Sequence, residues 1–416
     1  MSSDESQRSG DGLTPRGWRT LSQTPGSLKA LLVGSAIADL GNGFFRLSLP
    51  WLVYNLTGSS AALGTLVALT YLPTLLMPWI GRLVDRTAIR LVMVLSLLLQ
   101  FVTLGALVVL LRMHRLDIPL VDIGALLAGA GGLVAWTSTE VAVQRLTPPV
   151  ARVAVNGLWW MLFNISWYVS PALAGLVIGR LGIDWALVFN AVAVLVMLVP
   201  VIMLPALRPV AAEGGPFGEP WRALRSAQDV FIATVVFGYW NFTWAAVYAL
   251  EVFLFRHRLH LSAPMVGLVG LVAGVFPTVL TVLAPYIVAR VQTVWLLSAS
   301  LLISGCGMLV LAVAHNWWTA TLALGLIDGV VAPVGIVVAT LSQRSIPSRL
   351  YGQVVGWQTF IQGGGSPLAS ILAGAAAVVV GAGGAIGGAA AFTLAAGVVL
   401  PASPWRRILQ RSAPLS

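Results

Sequence analysis

The stretch Leu72–Arg90, LPTLLMPWIGRLVDRTAIR, decides how the chain folds. An apolar run passes into GRLVDR, and a second apolar run begins at Leu91. A short turn carrying Gly81, Arg82, Asp85, Arg86 and Arg90 thus separates two stretches that read as membrane-spanning. Hydrocarbon does not hold that much charge, so the turn belongs at a membrane surface. Arginine gathers on the cytoplasmic side of membrane helices, and three arginines against one aspartate place the turn there.

Composition extends this reading to the whole chain. Of 416 residues, 58% are hydrophobic and only 9% charged, where soluble domains carry roughly 25% charged residues. Long unbroken apolar runs indicate helices rather than the alternating short strands of a barrel. Each run reaches the ~20 residues a bilayer requires. The pattern predicts an all-α membrane protein with 12 transmembrane helices in two pseudo-symmetric six-helix bundles. The first helix starts near Ser27, is too long for a signal peptide core and is expected to stay. The expected divisions are a polar tail over 1–26, a first bundle over 27–205, a linker over 206–228, a second bundle over 229–401 and a tail over 402–416. The linker contains RPVAAEGGPFGEPWRALR, rich in Gly, Pro and Glu.

The net charge of +10 does not indicate nucleic acid, because the basic residues are scattered through short connections rather than gathered on one face. With the N-terminus inside, 18 of the 24 Lys and Arg fall on inside segments and five on outside segments, with Arg46 left within the first helix. That bias predicts a multi-pass protein with both termini cytoplasmic. One cysteine, Cys306, excludes an internal disulfide. The four histidines lie in or beside short connections, so neither a metal site nor a histidine relay is expected.

The two bundles also repeat. LPTLLMPWIGRLVDR at Leu72–Arg86 aligns without gaps to FPTVLTVLAPYIVAR at Phe276–Arg290, an offset of 204. Ser170-Pro171 and Ser366-Pro367 match at an offset of 196, each followed by a small-residue stretch. Two parallel six-helix halves with a site between them describe a transporter architecture.

On these residues the chain resembles the major facilitator superfamily. GRLVDRTAIR matches that family's loop 2–3 signature at Gly81, Leu83, Asp85, Arg86 and Arg90, with Ala88 at the usual second glycine. Ala38 to Arg90, together with Val155-Asn156 and Ser170-Pro171 with Gly175, is similar to the proton-driven efflux branch that includes macrolide and siderophore exporters. Asn42 stands where relatives often carry an acid, and Ser170 where the antiporter helix usually has Gly. The resemblance implies a gate: Asp85 near the cytoplasmic start of helix 11, where helix N–H groups favour an anion, and Arg86 or Arg90 reaching Glu140 on helix 4. It also implies that helices 1, 4, 7 and 10 line the cavity.

Several residues inside the spans could carry chemistry. Asp39 lies about 16 Å into helix 1 at 1.5 Å per residue, and Asp328 sits similarly deep in helix 10. An unpaired charge there costs at least ~2.5–3.5 kcal/mol, so each acid should face water, meet a partner or bind a proton. Both are proton-coupling candidates. Arg46 follows Asp39 by two turns and could pair with it, bind an anionic group of the cargo or close the outer gate. On helix 7, Trp240, Trp244 and Tyr248 form an i, i+4, i+8 stripe beside Asn241, with Glu251 further on. Facing a cavity, these residues would stack on a flat or greasy molecule or hold a cation. Asn42 joins them as a cavity candidate, and helix 5 adds Trp159, Trp160, Trp167 and Tyr168.

The glycine strings at Gly129–Val134 and Gly381–Gly388 follow no strand and precede no phosphate-binding lysine, so they suit close helix contact rather than nucleotide. No catalytic cluster or cofactor motif stands out, and the chain is expected not to be an enzyme. The expected function is a monomeric carrier in a bacterial inner membrane that exports a small amphipathic molecule, drug- or siderophore-like, in exchange for protons. Its partners would be that molecule, protons and membrane lipids. A lipid or lysolipid carrier, an uncoupled facilitator and a non-transport membrane sensor are the alternatives.

Overall fold

Apolar side chains without charges drive each run into lipid, where the backbone satisfies its own polar groups only as helix. The computed structural model describes residues 24–148, 151–205, 218–347 and 350–411. Among these, eleven helical stretches are long and apolar enough to cross a membrane. The last, Gln353–Ala402, holds 50 residues, which as one straight rod would reach about 75 Å against ~30 Å of hydrocarbon. It breaks at Gly381, where φ is 74° and ψ 162°, a conformation open to glycine but rarely to other residues. Beyond the break the chain runs back along its neighbour, giving a twelfth span.

The spans are α1 (Gly26–Thr57), α2 (Ser60–Val84), α3 (Ile89–Arg112), α4 (Ile118–Leu146), α5 (Arg152–Arg180) and α6 (Ile183–Ile202), then α7 (Gln228–Arg258), α8 (Ala263–Ala284), α9 (Thr293–Ala312) and α10 (Trp317–Ser342). The last two are α11, formed by Tyr351–Gly363 with 366–380, and α12, residues 382–399. One buried core is drawn from α1–α6; a second gathers α7–α12 together with Phe44, Leu47 and Trp51 of α1, Ala174 and Ile178 of α5 and Ala186 of α6. An even number of crossings puts both ends of the described helical domain, the start of α1 and the end of α12, on one face, the face of the termini.

Two helix pairs make most of the contact between the halves. The second half of α5 packs on the start of α8: Gly175 lies against the Ala263 carbonyl, and Gly267 against the Pro171 carbonyl. A side chain at either position would force the helices apart. Along α2 and α11, Ser60 Oγ donates to the Gly374 carbonyl at 3.1 Å and Thr74 Oγ1 to the Gly363 carbonyl at 3.3 Å. At the face away from the termini, α1 and α7 also meet. Towards the termini, the second part of α8, Val275–Arg290, packs chiefly on α10 of its own half. The halves are therefore held most tightly at the face away from the termini.

Two features add to the sequence reading. The expected linker contains a helix, Glu219–Ser226, whose Leu224 is fully buried and whose Trp221 lies 5.1 Å from Trp357 of α11. Its one apolar face seats it on the second bundle. Helix α7 also extends past Phe255, through a π-helical turn at Leu254–Arg258.

Candidate functional site

The sequence leaves Arg46 inside the first helix, and the fold surrounds it. Arg46 of α1 points between the halves. It donates from Nη2 to the Trp167 carbonyl of α5 at 3.0 Å, and its carbon lies 3.2 Å from the Trp167 ring centroid. The carbonyl and the ring face thus hold the cation where water is scarce. Arg46 lines a cavity of about 90 Å³ together with Trp167, Tyr168, Trp244, Tyr248, Glu251 and Asp328. The volume is enough for a few waters, against the ~300–1,000 Å³ of a drug-sized pocket. Among the described residues, no carboxylate comes within ion-pair distance of Arg46.

Helix α7 supplies one wall. Trp244 Nε1 donates to Asp328 Oδ1 at 2.9 Å, so α7 fixes the carboxylate of α10. Tyr248 stacks on Trp244, with ring centroids 5.1 Å apart and planes 6° from parallel. Tyr71 of α2 meets the edge of Tyr248 at 6.1 Å, across the two halves. Glu251 lines the same cavity, one turn and more before the end of α7. The π turn at Leu254–Arg258 carries α7 on beyond it.

Three cavity candidates belong elsewhere. Asn42 accepts a hydrogen bond from Gln100 Nε2 of α3 at 2.8 Å, inside the first bundle. Trp240 is buried and donates from Nε1 to Ser304 Oγ of α9 at 2.9 Å. Asn241 donates to the Phe237 carbonyl of its own helix at 2.9 Å. Four residues advance a helix by about 400°, so each step of the aromatic stripe turns some 40° further round. Trp244 and Tyr248 face the cavity, while Trp240 has rotated into the bundle core. Asp39 is partly buried and does not line the cavity; it lies two helical turns before Arg46 on α1.

The antiporter-helix residues have structural partners. Ser170 Oγ donates to the Leu40 carbonyl of α1 at 2.6 Å, directly over Gly43. Pro171 lines the cavity, and Gly175 allows the close α5–α8 contact. In the gate loop, Gly81 and Leu83 end α2, Arg90 is exposed, and the end of α2 abuts α11, with Met77 O 3.5 Å from where a Cβ on Gly356 would lie. The side chains of Asp85 and Arg86 lie outside the described residues. Glu140 forms no ion pair with Arg90 among the described residues.

At the face away from the termini lies a contact that the sequence did not single out. Arg256, at the end of α7, lies 4.4 Å from the Trp51 ring and 5.5 Å from the Tyr54 ring of α1. Its Nη2 donates to Asn55 Oδ1 at 3.3 Å, and Phe253 meets Tyr54 edge-on at 5.8 Å. The cluster latches the two halves over the cavity. Two aromatic residues at the end of helix 1 were the available signal.

The family model of the Major Facilitator Superfamily matches residues 31–370. The chain belongs to the major facilitator superfamily. It is a multi-pass membrane transporter and not an enzyme. An uncharacterized MFS-type transporter, y4rN, of Sinorhizobium fredii (strain NBRC 101917 / NGR234) is 25% identical over 389 residues, covering 86% of this chain and 90% of that protein. The multidrug efflux pump Tap of Mycolicibacterium fortuitum is 29% identical over 163 residues, 38% of this chain and 40% of the pump. Two solved structures share the fold. The nucleoside transporter NupG has a TM-score of 0.70 at 13% identity, covering 91% of this chain and 99% of that one. The human organic anion transporter MFSD10 (TETRAN) has a TM-score of 0.62 at 17% identity, covering 90% and 100%.

Proposed function

We propose that this superfamily member exports a small amphipathic molecule from the cytoplasm in exchange for protons, by alternating access, with both termini cytoplasmic in a bacterial inner membrane. The observation that carries the reading is the cavity between the halves. There one arginine and two carboxylates, Glu251 and Asp328, share a space walled by Trp167, Tyr168, Trp244 and Tyr248. Aromatic faces suit a greasy or flat cargo, and the carboxylates suit a proton or cationic group that must enter and leave. Asp39, on the same face of α1 nearer the termini, would pass protons between that cavity and the cytoplasm. The partial match to an efflux pump supports export. In this reading the end of α2 and its Asp85–Arg86 turn hold α11 when the cytoplasmic side closes, and the Arg256 latch holds the opposite side.

Purified protein in liposomes tests the proposal. Movement of a candidate cargo should follow an imposed pH gradient, and Asp39→Asn should abolish that dependence while leaving cargo binding intact. Gradient-independent movement by the wild type would identify an uncoupled facilitator instead. Coupled export at the wild-type rate by the Asn variant would remove Asp39 from the proton path.

A further inference from the structure

A second cavity, of about 890 Å³, opens on the side of the second bundle at the face away from the termini. Its walls are apolar: Leu254 of α7, Leu309 and Val313 of α9, and Ala377 and Val380 of α11. The glycines around the α11–α12 turn leave the space unfilled. One rim is basic and carries His257 and Arg258. We infer that this recess holds an anionic phospholipid, with its acyl chains between α9 and α11 and its phosphate on Arg258.

Arg258 is built into its place. Its Nη1 donates to the Ala312 carbonyl at 2.6 Å, and its Nη2 donates to His315 Nε2 at 3.1 Å. A guanidinium only donates, so the His315 nitrogen accepts. Gly383 makes this possible: a Cβ there would lie 2.6 Å from the Ala312 oxygen and 2.9 Å from Arg258 Nη1. These bonds occupy two of five N–H groups and leave a fixed fork for phosphate oxygens. The depth also fits. Arg258 closes α7, Ala312 closes α9, and Gly381 turns α11 into α12, all on one face. The adjoining Trp317 and Trp318 stack at the start of α10, with Trp318 exposed, as aromatic residues do at the headgroup level. A headgroup anion beside an arginine, above an apolar slot of this size, matches a phospholipid in both charge and shape.

Native mass spectrometry of the detergent-purified protein, given dioleoyl phosphatidylglycerol or dioleoyl phosphatidylcholine, tests the assignment. The wild type should retain the glycerol lipid about tenfold better, the scale of a lost charge-assisted bond. Arg258→Gln keeps a donor for the Ala312 carbonyl but removes the charge, and should level the two lipids. Gly387→Leu puts bulk into the recess from a position where a Cβ meets only Ala312 Cβ at 3.9 Å, and should weaken both lipids alike. Equal retention of the two lipids by the wild type, wild-type retention by both variants, or displacement of the bound lipid by millimolar inorganic phosphate would overturn the assignment.

Discussion

Arg256→Ala should open the face away from the termini. In the closed arrangement Arg256 lies over Trp51 and Tyr54 and bonds Asn55. The nearer ring contact contributes about 1 kcal/mol, and the more distant ring and the long exposed hydrogen bond about 0.5 kcal/mol each. Against this stands Arg256 Nε, which is buried without a hydrogen-bond partner; leaving it desolvated takes back roughly 1 kcal/mol. The net latch strength is therefore about 1 kcal/mol, or about a fivefold bias toward closure. Spin labels at Leu56→Cys on α1 and Ser262→Cys at the start of α8, in a Cys306→Ser background, would report the distance across this face. Both labelled sites lie at the exposed surface. The alanine variant should raise the ratio of the longer-distance population to the shorter about fivefold. Arg256→Lys, which keeps the charge but loses the planar fork, should fall between. An unchanged distance distribution in Arg256→Ala would refute the latch, whatever happened to transport.

Three further outcomes follow from the packing. Gly43→Ala drives a methyl into the Ser170 side chain; overpacking of that kind costs about 1–3 kcal/mol and should lower the melting temperature, and Ser170→Gly in the same chain should restore it, while failure of that rescue would place the strain elsewhere. Trp244→Phe keeps the ring on Tyr248 and deletes the donor to Asp328; gradient-driven uptake into inverted vesicles should fall about tenfold with cargo KM nearly unchanged, and an equal loss in both would dissociate the bond from coupling. Gly64→Leu meets the Ser370 carbonyl at 2.5 Å and the Gly374 backbone at 3.0 Å, so it should part α2 from α11 and lower the melting temperature, and wild-type stability would show that this contact carries little weight.

How much of this was legible in the chain depends on whether a signal was periodic or relational. The spans were legible because apolar length is a local property, whereas the α11–α12 break at Gly381 lies in a glycine string that reads equally well as close helix contact. Arg46 and Asp328 were legible because a charge in the middle of an apolar run needs a reason to be there. Asn42 and Trp240 were misjudged for a different cause. Their partners, Gln100 and Ser304, sit 58 and 64 residues away on other helices, and no helical period reveals them. The end of α7 was set short because the π turn at Leu254–Arg258 carries an apolar-to-basic boundary that looks like a helix end. The linker helix was hidden by glycines and prolines that in fact precede or start it.

The same π turn connects the parts of the site. Along α7, Trp244 holds Asp328, Tyr248 touches the opposite half through Tyr71, Glu251 enters the cavity and Arg256 latches onto α1. Glu251 and Arg256 are separated by about 7.5 Å of helix rise. A helix packed at close to crystal density does not bend freely over such a length, so a shift that parts Arg256 from Trp51 also moves Glu251 and Trp244 relative to Arg46. A change in charge or occupancy of the cavity is therefore felt at the latch through one rigid element, with no relay across other helices needed. Two observations would be coupled on this view. Charge removal by Glu251→Gln should change the Leu56–Ser262 distance populations in the wild-type latch, and should leave them alone once Arg256→Ala has already released the helix end. Additive effects of the two substitutions would mean that cavity and latch act independently.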